Sequence, residues 1–540
     1  IENFKQNNVE AIAICLLHSY SNQTHELKLR DEVKNLWPEV EVVISSDITR
    51  EWREYERGNT SALCAYIKPL AVKYLDKLFS RLKQSNFTSV PYIMQSNCGV
   101  DSLEAVSRIP ITMVESGPAS GFWGAAELGK LINEPNVLAL DIGGTTAKCS
   151  LIENGQVRIM TNYWIEKDGK SAGYPIMVPV VDLVEIGNGG GSIAWVDEYS
   201  KLHVGPQSAG AIPGPAAYGK GGSEATTTDA NLKLGRINHD YFCGGSIKAD
   251  MKSANTALSS VGNKLGVNST EAARGIIRIA NNNMINALKL VSLNRGFDPR
   301  DFVLVAFGGG GGMHAVDLAK ELGIKKVIIP AAASVFSAWG MMMSDLRRDY
   351  FITHLADLVD GAADDIESAF SAVESEAISQ FKSEGIKKKN IKFTRYGNFR
   401  YKNQEHTTEV KLSDGKISDQ QIVLIEDEFH KTYEHEYTYQ LNMPVELVGI
   451  HVVATTEVGK LTMKELPSQE ADEAEARKGN RDVDYALDGI HQATLYDGDK
   501  LLPSMEFIGP AIIEDSGATT VIHPENKVYI DGYKNIHIEI

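Results

Sequence analysis

Apolar positions change their spacing several times along the chain, and each change predicts an element. NVEAIAICLLHSY is apolar enough for a buried strand and stops at the turn Ser21–Asn22. HELKLRDEVKNLW spaces its apolar residues as an amphipathic helix, and EVEVVISS reads as a strand. Residues 48–83 predict a long helix, with Ala62, Ile67, Leu70, Tyr74 and Leu78 at helical spacing and Pro69 expected to kink or divide it. VPYIMQS predicts another strand. ITMVESGPASGFWGAAELGK predicts strand, tight turn and helix. Residues 136–155 predict a hairpin, with strands 136–142 and 146–152 about a Gly143–Gly144 turn and a second turn at Asn154–Gly155.

The stretch VPVVDLVEIGNGGGSIAWVDEYSKLHVG repeats strand, glycine loop and strand. Residues 205–235, rich in Gly, Pro, Ser and Thr, predict a long irregular loop of functional kind. Residues 251–293 are helical. FVLVAFGGGGGMHAVDLAKELG gives strand, five glycines and helix, and KKVIIP a short strand. Residues 355–383 predict an acidic amphipathic helix, and residues 390–456 antiparallel strands around a helix at 419–436. GNRDVDY reads as a polar linker, and the charge run EADEAEARK (470–478) as a solvated helix or linker face. From Tyr485 onward, short strands turn at Asp497–Gly498, Ser516–Gly517 and Asp531–Gly532. There is no 20–50-residue repeat. These breaks predict four segments: 1–110, 111–350, 351–480 and a small β domain at 481–540.

Composition narrows the function classes. With 54 basic and 71 acidic side chains in 540 residues, the formal charge is −17. That argues against a general nucleic-acid or anionic-membrane binder, which needs a basic face. The run at 11–17 is far short of the ~20 residues a span requires. The start, IENFKQNN, has no basic stretch before an apolar core. Cys15, Cys64, Cys98, Cys149 and Cys243 are scattered singly without a CxxC pair, so a thiolate zinc site is not expected and reduced thiols in a cytoplasm are. Cys15 and Cys149 read as small buried hydrophobes. Residue 1 is Ile rather than Met, and a preceding region is expected.

Three glycine loops carry the chemical signal. In Asp141-Ile142-Gly143-Gly144-Thr145-Thr146 an acid closes an apolar strand and two glycines turn the chain back. Glycines let successive N–H groups converge on an anion, and an Asp at a strand end can orient hydrated Mg2+. An ordinary hairpin turn is the alternative. Gly308, Gly309, Gly310, Gly311 and Gly312 lie between a strand and a helix, where a bare backbone can face a planar ligand such as a nucleoside. Neither loop is a Walker A or a dinucleotide fingerprint. Ile186-Gly187-Asn188-Gly189-Gly190-Gly191-Ser192 follows Asp182 and Glu185, which could bind metal, act as base, or in the case of Asp182 cap a turn.

The order of these loops resembles the actin-like ATPase fold. The chain is more specifically similar to the family of hydantoinase A, 5-oxoprolinase and acetone carboxylase β-subunits. The stretches that carry this resemblance are SSDITREWREYERGNTSALCAYI (45–67), YIMQSNCGV (92–100), ESGPASG (115–121), DIGGTTAK (141–148), EIGNGGGSIAWVD (185–197), VGPQSAGAIPGPAAYGKGG (204–222), TTTDANLKLGRI (226–237), FGGGGGMHA (307–315) and IGPAIIEDSGATTVIHP (508–524).

The resemblance implies an α/β fold of actin-like (ribonuclease H-like) lobes with a C-terminal mixed domain. It implies a cytoplasmic enzyme that uses ATP and Mg2+ to phosphorylate a carbonyl oxygen. The substrate would be a cyclic amide in a hydrolase or, alternatively, a ketone in a carboxylase; a non-catalytic nucleotide-binding assembly subunit is a third reading. A hydantoinase-B-like partner subunit is implied, with room there for a transition metal.

The same resemblance places Gly143, Gly144, Thr145 and Thr146 on the phosphates, Asp141 on Mg2+ through water, and the glycines 308–312 along adenosine. Asp182 and Glu185 become catalytic or metal candidates. Lys148, where many relatives have Asp, could touch phosphate as a point charge or replace an acid. His314 could cap or pack, or touch ligand. WREYER (52–57) reads as a structural helix face rather than a substrate clamp, and the aromatics of 433–439 as packing. Relatives carry an earlier DxGGT-type loop that has no counterpart before residue 141, so the missing part of the clamp is expected in the region ahead or on another chain.

Overall fold

A computed structural model describes residues 1–161, 163–166, 171–242, 244–467 and 472–540. Cys243 and the first two residues of the 470–478 charge run lie outside the described residues. The chain forms two units that alternate along the sequence. One comprises Ile1–Ala119, Ile159–Val181 and Ser344–Lys460, and the other Ser120–Arg158, Asp182–Met343 and Leu461–Ile540. Among the described residues no helix is long and apolar enough to cross a membrane.

The second unit is built on a nine-stranded sheet. Val137–Ile142 pairs antiparallel with Ala147–Glu153 and parallel with Val303–Phe307. Val303–Phe307 continues in parallel to Lys326–Ile329, which pairs antiparallel with Ile536–Glu539. VLVAF is buried at all five positions, as expected of a central parallel strand with both faces covered. Helices Ser269–Val291 and Gly311–Leu322 pack in this unit. The longer one starts with a capping box between Asn268 and Glu271 and buries an apolar stripe from Ala272 to Val291. A four-stranded sheet joins Arg477–Asp484, Ile490–Asp497, Ala511–Glu514 and Thr519–Ile522.

The first unit holds a six-stranded sheet. Its order is Thr408–Lys411, Lys392–Tyr401, Val445–Thr456, Leu346–Asp357, Val100–Ser102, Tyr92–Met94. Helices Ala363–Ser383 and Asp419–Tyr437 contribute Phe370, Phe381, Phe429 and Tyr433 to its core, against Phe399 and Tyr401 of the sheet. Of the aromatics at 433–439, Tyr433 therefore packs in the core as expected, while Tyr437 and Tyr439 stand exposed beside it. A separate parallel pair, Ala11–Ile14 with Glu41–Ile44, is covered by helix Glu54–Gln84.

Several sequence expectations are corrected here. Pro69 does not divide the helix, which runs unbroken over Glu54–Gln84; the break comes earlier, where Arg53 adopts a left-handed φ of 80°. The buried face is also not the predicted one: Leu70 and Tyr74 are exposed, while Arg57, Thr60, Ser61, Cys64 and Lys68 are buried. Polar groups with dedicated partners occupy the inward face, so hydrophobic spacing gave the wrong phase. Arg57 donates to Ser45 Oγ at 3.0 Å and to the Leu16 carbonyl at 2.8 Å, which makes the WREYER tract structural.

ITM is a 3-10 turn, Pro110–Met113, ahead of helix Ser116–Leu131. The 205–235 loop contains helix Thr227–Lys233, fixed by the Thr226–Asp229 capping box. The stretch beginning at 355 first completes strand Leu346–Asp357, and its helix starts only at Ala363. GNRDVDY belongs to strand Arg477–Asp484, which pairs with Ile490–Asp497 instead of linking domains.

Candidate functional site

The three glycine loops meet in the second unit. Gly143 and Gly144 turn the hairpin between Val137–Ile142 and Ala147–Glu153, and the Gly143 N–H closes the turn on the Thr146 carbonyl at 3.0 Å. On one side, Gly190 N–H donates to the Gly143 carbonyl at 3.0 Å and Gly191 N–H to the Gly144 carbonyl at 2.6 Å. On the other side, Gly310 N–H donates to the Ile142 carbonyl at 2.9 Å. The turn is thus held by backbone from both neighbours.

Close approach explains the glycines. A Cβ on Gly189 would stand 2.6 Å from the Gly143 carbonyl oxygen and 2.7 Å from the Gly144 carbonyl carbon. A Cβ on Gly308, where φ is 78°, would collide with the Asp141 carboxylate. A Cβ on Gly144 would meet nothing within 4 Å, so this face of the turn is open. Gly143, Gly144 and Thr145 are exposed. Among the described residues no backbone carbonyl takes the Gly144 or Thr145 N–H. The turn thus keeps two backbone donors without a carbonyl partner beside an open face, which is what an anion cradle requires.

The third loop is itself braced. Thr228 donates to the Gly190 carbonyl through its N–H at 2.8 Å and through its hydroxyl at 2.8 Å. Asp229, fully buried, accepts from the Ala217 N–H at 2.7 Å and the Thr226 hydroxyl at 2.7 Å. Burial raises its pKa, with these hydrogen bonds opposing. Sequence reasoning assigned this aspartate no role; its capping position, T-x-x-D, was the available signal.

Charged groups form a row across adjacent strands. Asp141 is in register with Lys148, and Lys148 with Glu185. Lys148 Nζ lies 3.3 Å from the Glu185 carboxylate. Burial raises the Asp141 pKa and the Lys148 charge lowers it. Lys148 therefore sits between two carboxylates.

Asp182 is placed elsewhere. Its carboxylate is 2 % exposed and is gripped by both terminal nitrogens of Arg295, with Arg158 at 3.9 Å. That engagement gives the carboxylate a structural partner on each oxygen. Among the described residues no group of three or more His, Cys, Asp or Glu side chains could hold a metal ion.

The five glycines 308–312 divide by role. Gly310 packs on the Ile142 side chain, and Gly311 and Gly312 begin helix Gly311–Leu322 against Ala306 and Thr520. Gly309 alone of the five borders a small hollow, shared with Ile237, Tyr241, Met313, Asp515 and Gly517. Burial pushes the Asp515 carboxyl up to about 6, with the Asp499 and Asp497 charges adding to the shift. Sequence reading missed Ile237, Tyr241 and Asp515 as neighbours because they come from distant segments. His314 packs: it is buried, Nδ1 is 2.7 Å from Asn281 Oδ1, and burial lowers its pKa to about 4.

Comparison with known proteins decides the family. The hydantoinase/oxoprolinase family model matches residues 57–350, and the hydantoinase/oxoprolinase C-terminal domain model matches residues 356–540. The chain belongs to the hydantoinase/oxoprolinase family. It is 38% identical over 545 residues to an uncharacterised protein of Methanocaldococcus jannaschii, covering 100% of this chain and 78% of that one. It is 32% identical to the caprolactamase subunit alpha of Pseudomonas jessenii, over 98% of this chain and 76% of the relative.

Among solved structures, the ATP-dependent caprolactamase from Pseudomonas jessenii superposes with a TM-score of 0.86 at 30% identity, and a nucleotide-free acetone carboxylase with 0.78 at 26%. Each match covers 100% of this chain and 78% of that chain. The family carries the actin-like ATPase fold with a C-terminal domain expected from the loop order.

Proposed function

We propose that this chain is the ATP-binding subunit of an ATP-dependent cyclic-amide hydrolase, which phosphorylates the substrate's carbonyl oxygen. The observation that carries the reading is the Gly143–Gly144 turn: clamped by backbone on two sides, open on a third, with exposed N–H groups and the Thr145 hydroxyl beside it. That geometry fits the phosphates of ATP. The caprolactamase relative supports the substrate class, since its name gives a cyclic amide and its structure is described as ATP-dependent.

The roles divide as follows. Gly143, Gly144, Thr145 and Thr146 hold phosphate through backbone and hydroxyl donors. Asp141, half-buried at its strand end beside Lys148, would hold Mg2+ through water. Mg2+ would neutralise charge building on the transferred phosphoryl group. Gly309 lies along the nucleoside. Lys148 and Glu185 balance charge next to Asp141, and Asp182 anchors Arg295; neither carboxylate is given a proton-transfer role. The protein works in the cytoplasm with a hydantoinase-B-like partner, in keeping with relatives named as subunits.

ADP release by the complete protein with its partner tests this. Stimulation by a lactam, hydantoin or 5-oxoproline is the expected result. Stimulation only by a ketone with bicarbonate would replace it with the carboxylase reading, which the acetone carboxylase likeness favours; AMP formation would point the same way. Nucleotide bound with no turnover under any of these conditions would leave a non-catalytic assembly role.

A further inference from the structure

Two stretches singled out in the sequence, 45–67 and 92–100, take no part in the phosphate cradle. In the first unit they meet. Ser46 and Arg50 come from one, Gln95 and Asn97 from the other, and together with Arg347 and Tyr350 they border a cavity of about 300 Å3. That volume is at the small end of ligand pockets.

The cavity wall is built rather than incidental. Gly99 closes a tight turn in which its N–H donates to Asn97 Oδ1 at 2.9 Å, and a Cβ there would collide with Arg347 Cβ. Asn97 Nδ2 donates to Asp349 at 2.7 Å. Behind it, Asp349 receives Arg347 at 2.8 Å and His451 at 2.8 Å, and His451 also meets Glu409 at 2.9 Å. His451 is stacked on Phe351, with ring centroids 4.1 Å apart.

Charges on the wall are already paired. Arg348 meets Asp101 and Glu384, each at 2.6 Å, Arg50 meets Glu376 at 2.7 Å, and Asp47 lies 3.5 Å from Arg30. Arg108 stands exposed at the rim. Apart from that guanidinium, what the wall leaves for a ligand is neutral. Gln95 is 6% exposed, and among the described residues its carboxamide has no hydrogen-bond partner. Ser46 is 6% exposed, and its hydroxyl has none either. The Ser46 hydroxyl is buried without a partner, which is rare, and the Gln95 carboxamide borders the cavity, where a ligand's polar atoms can reach it.

We propose that this cavity binds the substrate, and that Gln95 selects a neutral cyclic amide by pairing with its amide edge. A small ring forces the amide cis, so its N–H and C=O lie side by side. A carboxamide offers the matching acceptor and donor, and the pair closes with two hydrogen bonds. Ser46 supplies a further donor or acceptor. A ketone of the same ring size satisfies the Gln95 donor and leaves its acceptor buried and unpaired, which weakens binding by roughly tenfold or more. The ligand class rests on the cyclic-amide reading above; the cavity and its unpartnered groups do not.

The test is equilibrium binding of δ-valerolactam and cyclohexanone to the full-length protein without nucleotide, by calorimetry or ligand-observed NMR. The lactam is expected to bind at least tenfold tighter, and Gln95→Leu to remove the preference while a fluorescent ATP analogue binds as before. Equal affinity for the two rings, no lactam binding, or undiminished lactam affinity in Gln95→Leu would overturn the proposal. If Gln95→Leu melts early, Gln95→Asn, which withdraws the carboxamide by one methylene, and Ser46→Ala give the same readout. Gln95-dependent lactam binding without lactam-stimulated ADP release would keep this inference and remove the proposed activity. Lactam-stimulated ADP release that ignores Gln95→Leu would do the reverse.

Discussion

Around the Gly143–Gly144 turn, backbone holds backbone: the contacts run between Gly190, Gly191, Gly310 and main-chain carbonyls, and side chains are mostly absent. Around Asp349 the opposite holds. Arg347, Asn97 and His451 converge on one carboxylate, and geometry is set by side-chain charge in a buried place. The first region fails when volume is added, the second when charge is removed. Among the described residues the first presents backbone N–H groups that no carbonyl takes, whereas the second pairs most of its charges internally and leaves Gln95, Ser46 and the rim guanidinium of Arg108 open.

Removing charge should have the largest effect. Asp349→Ala leaves Arg347 and a cationic His451 buried without their shared partner, and a loss of about 3–5 kcal/mol in urea-unfolding stability is expected. A loss under about 1 kcal/mol would show that the cluster is not an electrostatic unit.

Next is the pH dependence of that cluster. Burial opposes the His451 charge, but the hydrogen bonds and charges of Asp349 and Glu409 outweigh it and hold the imidazole up at about 9. A folded pKa above the unfolded value of about 6.5 gives stability that is full below pH ~6.5 and lost as pH rises toward 9. The expected fall is on the order of 3 kcal/mol, measured as midpoint shifts across that window. His451→Gln should flatten it.

Adding volume comes third. Gly189→Ala forces a methyl against the Gly143 and Gly144 carbonyls. About 1–3 kcal/mol of stability should go, together with most of the nucleotide affinity, read by titration of a fluorescent ATP analogue. Retained affinity would mean the cradle tolerates displacement and would weaken the contrast. The smallest stability effect is expected at exposed Thr145: Thr145→Ala should change unfolding free energy by less than about 0.5 kcal/mol, yet weaken nucleotide binding roughly tenfold through a lost hydrogen bond to a charged group.

The same contrast explains what the sequence could reveal. Asp141, the Gly143–Gly144 turn and the loops at 187–191 and 308–312 could be picked out because glycine spacing is a local signal; their order pointed to the actin-like fold, and their meeting is seen only in the structure. Gly308, Gly310 and Gly312 looked alike in sequence but serve as packing positions against Asp141, Ile142 and Thr520. Asp182 looked like a candidate because nothing in its neighbourhood names Arg295, 113 residues away. The helix at 54–84 was found with the wrong buried face because Arg57 and Lys68 point inward with partners of their own. The chain also crosses between units repeatedly, whereas a linear reading divides it at 110, 350 and 480. No local composition marks such a crossing, since each crossing segment carries an ordinary strand or helix pattern.

The strand Ile536–Glu539 covers the free edge of Lys326–Ile329 in the nine-stranded sheet. During synthesis that edge emerges about 200 residues before its cover does. At ~5–20 residues per second it stays bare for ~10–40 s. A flat apolar edge is a template for stray pairing, so the nascent chain should depend on chaperone shielding until strand Ile536–Glu539 has emerged.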